Sequence, residues 1–304
     1  MSAPAPDLQR PAITPAFQQI SAARKAKNMT ATILMGSAFV IAVAPLVWLL
    51  WTVLQKGFTR VLNADWWQKS MAGLTGRQQG GGVYHAIYGT LVQSLICAVI
   101  AVPIAIMVAI YLVEYGKRTR LAKWITFTVD ILSGVPSIVA ALFIYSLWII
   151  TFGFPRSAFA VSLALVMLMI PVVVRTTEEL LKIVPDELRE AAYALGIPKW
   201  KTIVKIVIPT ALSGIITGIM LAIARVMGET APVLILVGYN PFINNNPFSG
   251  NMASLPLFMN DSRLTINAIG EGRVWGAAVT LILIITVINL LASVISKLTA
   301  VKSK

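Results

Sequence analysis

Arg225 and Glu229 stand inside an otherwise apolar run, Ala224-Arg225-Val226-Met227-Gly228-Glu229-Thr230-Ala231-Pro232. A charge at mid-bilayer costs at least about 2.5–3.5 kcal/mol, so it must face a partner or a polar path. Spaced four apart, the two side chains fall on one face of a continuous helix. Opposite charges so placed have two uses. They can form a salt bridge that locks two helices, or Arg225 can line the path of an anion with Glu229 as its resting counter-ion. Pro232 removes a backbone N–H, and its ring clashes with the carbonyl of Gly228, so the helix should kink or open beside the pair. Interrupted helices at mid-membrane commonly build transport sites. The coincidence of Arg225, Gly228, Glu229, Thr230 and Pro232 therefore favours the pathway reading over the lock.

Two further clusters lie near the ends of apolar runs. In Asp130-Ile131-Leu132-Ser133-Gly134-Val135-Pro136-Ser137, Pro136 breaks a helix. Ser133 and Ser137 then either satisfy freed backbone groups or contact a polar solute. Arg175-Thr176-Thr177-Glu178-Glu179 offers a second pair four apart, Arg175 with Glu179, read as a stabilising ion pair with a gate as the alternative. Gly214, Gly218 and Ala222 recur at every fourth position and allow a neighbouring helix close. His85, the only histidine, reads as a surface or interface residue. Cys97, the only cysteine, excludes an internal disulfide and a multi-thiol metal site. No Gly-x4-Gly-Lys-Ser/Thr loop, paired Cys/His spacing or Gly-x-Ser-x-Gly elbow occurs. The expectation is a chain with no catalytic constellation, no metal and no cofactor of its own.

The elements that must position these residues are membrane spans. The 304 residues are 57% hydrophobic and 12% charged, with a mean hydropathy of +0.80. Soluble domains carry about 25% charged residues. Here the charge is segregated into loops, which gives an all-α polytopic membrane protein. The net charge of +13 is then a property of cytoplasmic loops holding topology, not a nucleic-acid surface. About 20 apolar residues cross the hydrocarbon, which gives six spans: 30–54, 84–112, 124–151, 158–181, 203–238 and 274–298. Residues 1–28 read as a poorly ordered basic tail. Arg24, Lys25 and Lys27 resemble the start of a signal peptide, but the following apolar run is too long for one and is expected to be retained. The domain organisation is a tail (1–28), a first span with its outer loop (29–83), the main transmembrane domain (84–298) and a second tail (299–304).

Arg10, Arg24, Lys25, Lys27, Lys117, Arg118, Arg120, Lys123, Arg175, Lys182, Arg189, Lys199, Lys201, Lys205, Lys297, Lys302 and Lys304 fall on one side of these spans. Only Lys56, Arg60, Lys69, Arg77, Arg156, Arg263 and Arg273 fall on the other. The excess puts both termini in the cytoplasm. In the outer loop 55–83, Trp66-Trp67 are expected in an interfacial belt and Gly80-Gly81-Gly82 as a flexible connection. The apolar, Asn- and Pro-rich loop 239–273 either holds a partner or re-enters the membrane, or it packs over the helix ends.

A polar island separates the fourth and fifth spans on the cytoplasmic side. Pro185 gives a rigid entry, Asp186 and Glu187 suit the positive end of a helix dipole, and Glu190-Ala191-Ala192 favours helix. Gly196 followed by Pro198 stops it. Residues 186–195 thus read as a short exposed helix, followed by a turn and a new helix from about Thr202. Such a helix is a surface for a partner to push on.

Glu190-Ala191-Ala192, three residues, Gly196, nine residues, Ile206, one residue and Ile208-Pro209 resembles the EAA loop of ABC-importer permeases, whose pattern ends in Leu-Pro. Within that superfamily, Gly228-Glu229-Thr230-Ala231-Pro232 after Arg225 is similar to the PstA family of phosphate-specific permeases. So are Gly134-Val135-Pro136-Ser137-Ile138-Val139, Arg175-Thr176-Thr177-Glu178, Ala253-Ser254-Leu255-Pro256 and Trp275-Gly276-Ala277. These matches span roughly residues 84–290. The sister PstC permeases share several of the features, but the Thr-Ala-Pro continuation is nearer PstA. The resemblance implies the type I ABC importer permease fold: six transmembrane helices with a short cytoplasmic coupling helix, in a bacterial plasma membrane. It implies a heterodimer with a PstC-like permease, a homodimeric PstB-like ATPase that carries ATP and Mg²⁺, and an extracytoplasmic PstS-like phosphate-binding protein. Phosphate would be the substrate and membrane lipid the surroundings. The resemblance assigns the family's functional arginine and glutamate to Arg225 and Glu229. It assigns ATPase coupling to Asp186, Glu187, Glu190, Ala191, Ala192 and Gly196, with rocking about Pro209. A permease for molybdate or sulfate and a stand-alone ion-coupled transporter are the alternatives. A purely structural membrane protein would carry Arg225 and Glu229 at a cost without a use.

Overall fold

Apolar runs too long for a soluble core, interrupted by proline and glycine, produce a chain that is almost entirely helical. The computed structural model describes residues 21–74, 78–116, 119–265 and 267–299. Arg10, Arg77, Lys117, Arg118, Lys302 and Lys304, and residues 1–20 of the expected tail, lie outside that range. The chain divides between Thr52 and Val53 into two units. The first contains most of the long helix α1 (Ala22–Val61), with exposed Met29, Ile33, Phe39, Trp48 and Trp51 along it. Residues 22–28, assigned above to the tail, are already the first turns of this helix.

In the second unit, α2 (Ala64–Gln68) is capped by Asn63. Helix α3 (Tyr84–Ile110) runs on through a π-helical turn at Tyr111–Tyr115. Helices α4 (Arg120–Gly134) and α5 (Ser137–Ile144) are followed by another π-helical turn to Thr151. Next come α6 (Ala158–Ile183), α7 (Asp186–Ala194) and α8 (Lys199–Thr202). A third π-helical turn, Ile203–Val207, leads into α9 (Ile208–Met227). Then α10 (Ala231–Leu236), α11 (Leu255–Arg263) and α12 (Ala268–Thr299) complete the chain. Among the described residues, five helical stretches are long and apolar enough to cross a membrane, and a sixth is counted if the bent pair α4–α5 is one span.

That bent pair corrects a simple reading of residues 124–151. The axes turn by 105° at Gly134–Ser137. Proline disfavours the α conformation in the residue before it, and both Val135 and Pro136 are extended. The result is two helices meeting at a corner, well beyond a proline kink.

Helix α6 is the centre of the packing. Val161, Ala164, Met169, Val173, Val174 and Leu181 are fully buried along it, and Ser157 caps its start by accepting from the Ala160 amide. Helix α3 meets it through Cys97, Ala101, Ala105 and Ala109, which repeat every fourth residue and are all fully buried. Between apolar helices in lipid, close backbone approach and van der Waals fit drive association, so a stripe of small residues is what such a contact needs. Cys97 acts here as one of those small residues, with its Sγ 3.6 Å from Met169 Sδ. On the other side, α9 meets α6 at the expected glycines. A Cβ on Gly214 would come within 2.6 Å of Leu180, and one on Gly218 within 3.0 Å of Thr176.

The loop 55–83 is better packed than expected. Trp66 is buried rather than interfacial, donates its Nε1–H to Thr280 Oγ1 at 2.9 Å and meets Phe258 edge-on. Gly82 is not a flexible link, because a Cβ there would collide with the carbonyls of Asp65, Trp66 and Lys69. His85 is likewise buried, between Tyr239 and Phe258, and is neither a surface nor an interface residue. In the loop 239–273, Leu255, Pro256, Leu257 and Phe258 of α11 are buried, and α11 packs on α3 and α12, while Phe242, Ile243 and Phe248 are exposed.

Candidate transport site and coupling helix

The fifth span opens where the sequence reading placed a break. Helix α9 stops at Met227 with Gly228 as its C-cap, and α10 restarts at Ala231 with Pro232 in its first turn. The break removes the relation between Arg225 and Glu229 that the spacing suggested. Glu229 lies beyond the end of α9, so it does not continue the face that carries Arg225. None of the ion pairs among the described residues joins them. In this conformation Glu229 is therefore not in contact with Arg225 as a counter-ion.

Arg225 is exposed, in line with Thr217 and Leu221 on α9, while Ala211, Ile215, Ala222 and Val226 bury the opposite face. Glu229 is half-buried and turns inward, lining a cavity of about 10 Å³ with Thr90, Gln93, Ser94 and Ser254. Thr230 is exposed and its side chain caps nothing.

The second cluster forms, with altered partners. Arg175 pairs with Glu178 at 2.8 Å and with Asp130 on α4, and Lys182 closes on Glu178 at 2.7 Å. Glu178 replaces the expected Glu179 because three residues around the helix points inward here, where Glu178 is buried. Ser133 donates to the Asp130 carbonyl at 2.8 Å, the local role open to a hydroxyl before a break. Ser137 is half-buried in the first turn of α5 beyond the corner at Pro136.

The short helix after α6 forms over Asp186–Ala194 and stops as its sequence dictates. Gly196 has φ of +73°, its amide donates to the Tyr193 carbonyl at 2.9 Å, and the Ile197 amide donates to Ala192 at 3.0 Å. That pair of bonds is the Schellman stop, which needs a left-handed residue and so favours glycine. The next helix starts at Lys199, three residues before the expected Thr202. Asp186, Glu187, Glu190, Ala191 and Gly196 are exposed, whereas Ala192 is buried against the bundle and offers no outward surface. Leu188, Tyr193, Trp200 and Leu195, the last 80% exposed, add apolar groups to the outward side.

The helix is exposed but not detached, and the residues that hold it were missed in the sequence. Arg189 buries its guanidinium, with a side chain only 9% exposed, against Glu114 at 4%. Its Nε and Nη2 donate to Glu114 Oε1 at 3.1 and 2.9 Å. Nη1 donates to the Val184 carbonyl at 2.6 Å and to Asp186 at 3.0 Å, and Nη2 donates to the Leu181 carbonyl at 3.0 Å. The last carbonyls of a helix lack intrahelical donors. Arg189 supplies two at the end of α6, to Leu181 and Val184, and ties α7 to the end of α3 at the same time. Lys199 adds a bond to the Glu114 carbonyl and lies 4.6 Å from the ring of Tyr115. The signal available in the sequence was Glu114, a lone acid closing a long apolar run. Beyond α8, the π-helical turn Ile203–Val207 precedes Pro209. A π-turn absorbs the bond and the clash that proline imposes on the preceding turn, so the helix carries through to α9.

Long apolar helices around α6, a span broken beside a lone arginine, and a short helix clamped between two spans define the permease subunit of a type I ABC importer. The chain belongs to the family of binding-protein-dependent transport system inner membrane components, whose model matches residues 101–301, and within it to the PstA permeases. It is 57% identical over 288 residues to the phosphate transport system permease protein PstA 1 of Mycobacterium tuberculosis, covering 95% of this chain and 94% of that one. It is 57% identical over 283 residues to the phosphate transport system permease protein PstA of Mycobacterium leprae, covering 93% of each. Among solved structures, the inward-facing MetNI methionine ABC transporter superposes with a TM-score of 0.58 at 17% identity, over 72% of this chain and 95% of that one.

Proposed function

We propose that this chain is the permease subunit of an ATP-driven importer that moves inorganic phosphate from an extracytoplasmic binding protein into the cytoplasm. The single observation that carries the reading is Arg225. It is an exposed cation on the apolar outward face of α9, beside an opened helix and without an ion-pair partner among the described residues. Such a group needs a second surface or a polar path. A PstC-like permease packed on that face would supply the other wall, and phosphate would meet Arg225 between the two chains. One unpaired arginine gives a transient foothold, which suits an anion that must also leave. The relatives' phosphate-transport names support this substrate.

Both termini lie in the cytoplasm in this reading, with α7 on the same side. ATP and Mg²⁺ belong to a homodimeric PstB-like ATPase that receives α7, and this chain carries no cofactor. Closure of that ATPase would press on α7, and the Glu114–Arg189 clamp would carry the push into α3 and α6. The π-turn before Pro209 would carry it into α9 and its break. The basic N-terminal tail holds topology, and residues 84–298 form the transport domain. Arg225→Gln should leave assembly with the partner subunits intact and abolish phosphate uptake in membrane vesicles. Normal uptake by a correctly inserted Arg225→Gln protein would refute the reading.

A further inference from the structure

The cavity beside the α9–α10 break has a chemistry that the transport reading does not use. Its walls come from α3 (Thr90, Gln93, Ser94), from the break (Val226, Met227, Glu229, Val233), from the start of α11 (Ser254, Pro256) and from Leu165. Gln93 is 2% exposed and Ser254 1% exposed. Gln93 Nε2 and Ser254 Oγ have no hydrogen-bond partner among the described residues. Buried polar groups left unpaired cost about 1–3 kcal/mol each, so two of them facing one cavity require an explanation.

The start of α11 points the same way. Ser254 is the N-cap residue, yet its side chain caps nothing. The Leu255 amide is already satisfied by Thr90 Oγ1 at 2.8 Å, and Pro256 has no amide hydrogen. The start of α11 thus leaves the Ser254 hydroxyl free, beside the free side-chain amide of Gln93, at one small space. Helix N-termini and convergent donors favour an anion. A cavity of about 10 Å³ holds about one water and excludes a phosphate ion. The one charged group in its wall is Glu229.

We propose that this cavity is a dock for the Glu229 carboxylate, built from Gln93, Ser254 and the N-terminus of α11. Docked, Glu229 accepts from Gln93 Nε2 and Ser254 Oγ, pins the break to α3 and α11, and leaves Arg225 unpaired and open to an anion. Released, it is a carboxylate on the segment between two helices, free to compete for Arg225 and expel the anion. The proposal rests on Arg225 serving the anion. It adds a positioning role for Gln93 and Ser254 and gives Ala253-Ser254-Leu255-Pro256 a purpose.

The test is a double-mutant cycle on the thermal midpoint of the purified full complex, with Gln93→Leu, Glu229→Met and both together. Removing one partner leaves the other buried and unsatisfied, whereas two apolar groups of similar shape restore a matched contact. Each single variant should lower the midpoint, and the double variant should recover most of that loss. Midpoint losses that simply add would overturn the dock. Should Gln93→Leu prevent assembly, Ser254→Ala, which deletes only a hydroxyl, runs the same cycle with Glu229→Met and the same two outcomes decide. Phosphate-stimulated ATP hydrolysis, measured on the same proteins, keeps the two ideas apart. Absence of stimulation in the wild-type complex defeats the phosphate reading, while the midpoint cycle still decides the dock. With stimulation present, Gln93→Leu should lower it several-fold.

Discussion

Arg189 and Glu114 show how one buried ion pair shapes the behaviour of a whole helix. Breaking such a pair by removing one partner costs about 3–5 kcal/mol, because the remaining charge stays buried. Glu114→Gln should destabilise the purified chain by about that amount in denaturant unfolding. Replacing both with methionine should restore much of the stability, since apolar pairs of similar volume fit buried sites well. The double variant should nonetheless lose coupling between ATP hydrolysis and uptake, because α7 would no longer be tied to α3 and to the carbonyls of Leu181 and Val184. Full coupling in that variant would remove the clamp from the transmission route. Neither residue stood out in the sequence. Arg189 read as one of many topogenic cations, and the bond that gives it meaning spans 75 positions. Arg225 was legible, because a charge in an apolar run is costly wherever it lies. Its relation to Glu229 was not, because spacing by four has meaning only while the helix continues, and here it ends at Met227.

Among the elements, the breaks were read more reliably than the contacts. Proline and glycine act through local sterics, so the interruption at Gly228–Pro232 and the stop at Gly196 followed from the chain alone. The 105° corner at Pro136 exceeds what a proline imposes by itself and depends on how α5 packs against α6 and α10. Gly196→Pro should remove both the left-handed cap and the amide bond to Tyr193. Loss of ATPase co-purification, with the chain still inserted, is the expected result, and unchanged co-purification would mean that α7 is not the docking element. The alanine stripe on α3 was not recognised, although Cys97, Ala101, Ala105 and Ala109 form the same every-fourth pattern as Gly214 and Gly218. Ala105→Leu should overpack the α3–α6 contact at about 1–3 kcal/mol, visible as a lower thermal midpoint. An unchanged midpoint would show that the contact has slack.

For the whole molecule, the two proposed tasks fall on successive helices of one stretch of chain, α7 before the stop at Gly196 and α9 after it. Residues 186–198 offer an exposed surface anchored by Arg189, and Arg225 lies about 24 Å of helix beyond Pro209. The loop 55–83, expected to carry an interfacial belt and a flexible connection, instead buries Trp66 against Phe258 of α11, beside the buried His85 of α3. Aromatic residues in a loop can signal an interfacial belt or a packed lid, and only their neighbours in space decide between them. The most direct measurement is ATP hydrolysis by the complete complex reconstituted in liposomes with its binding protein, comparing phosphate, sulfate and molybdate for wild type and Arg225→Gln. The predicted result is stimulation by phosphate alone in the wild type and none in Arg225→Gln. Equal stimulation by sulfate or molybdate, or stimulation that survives the loss of Arg225, would contradict the account.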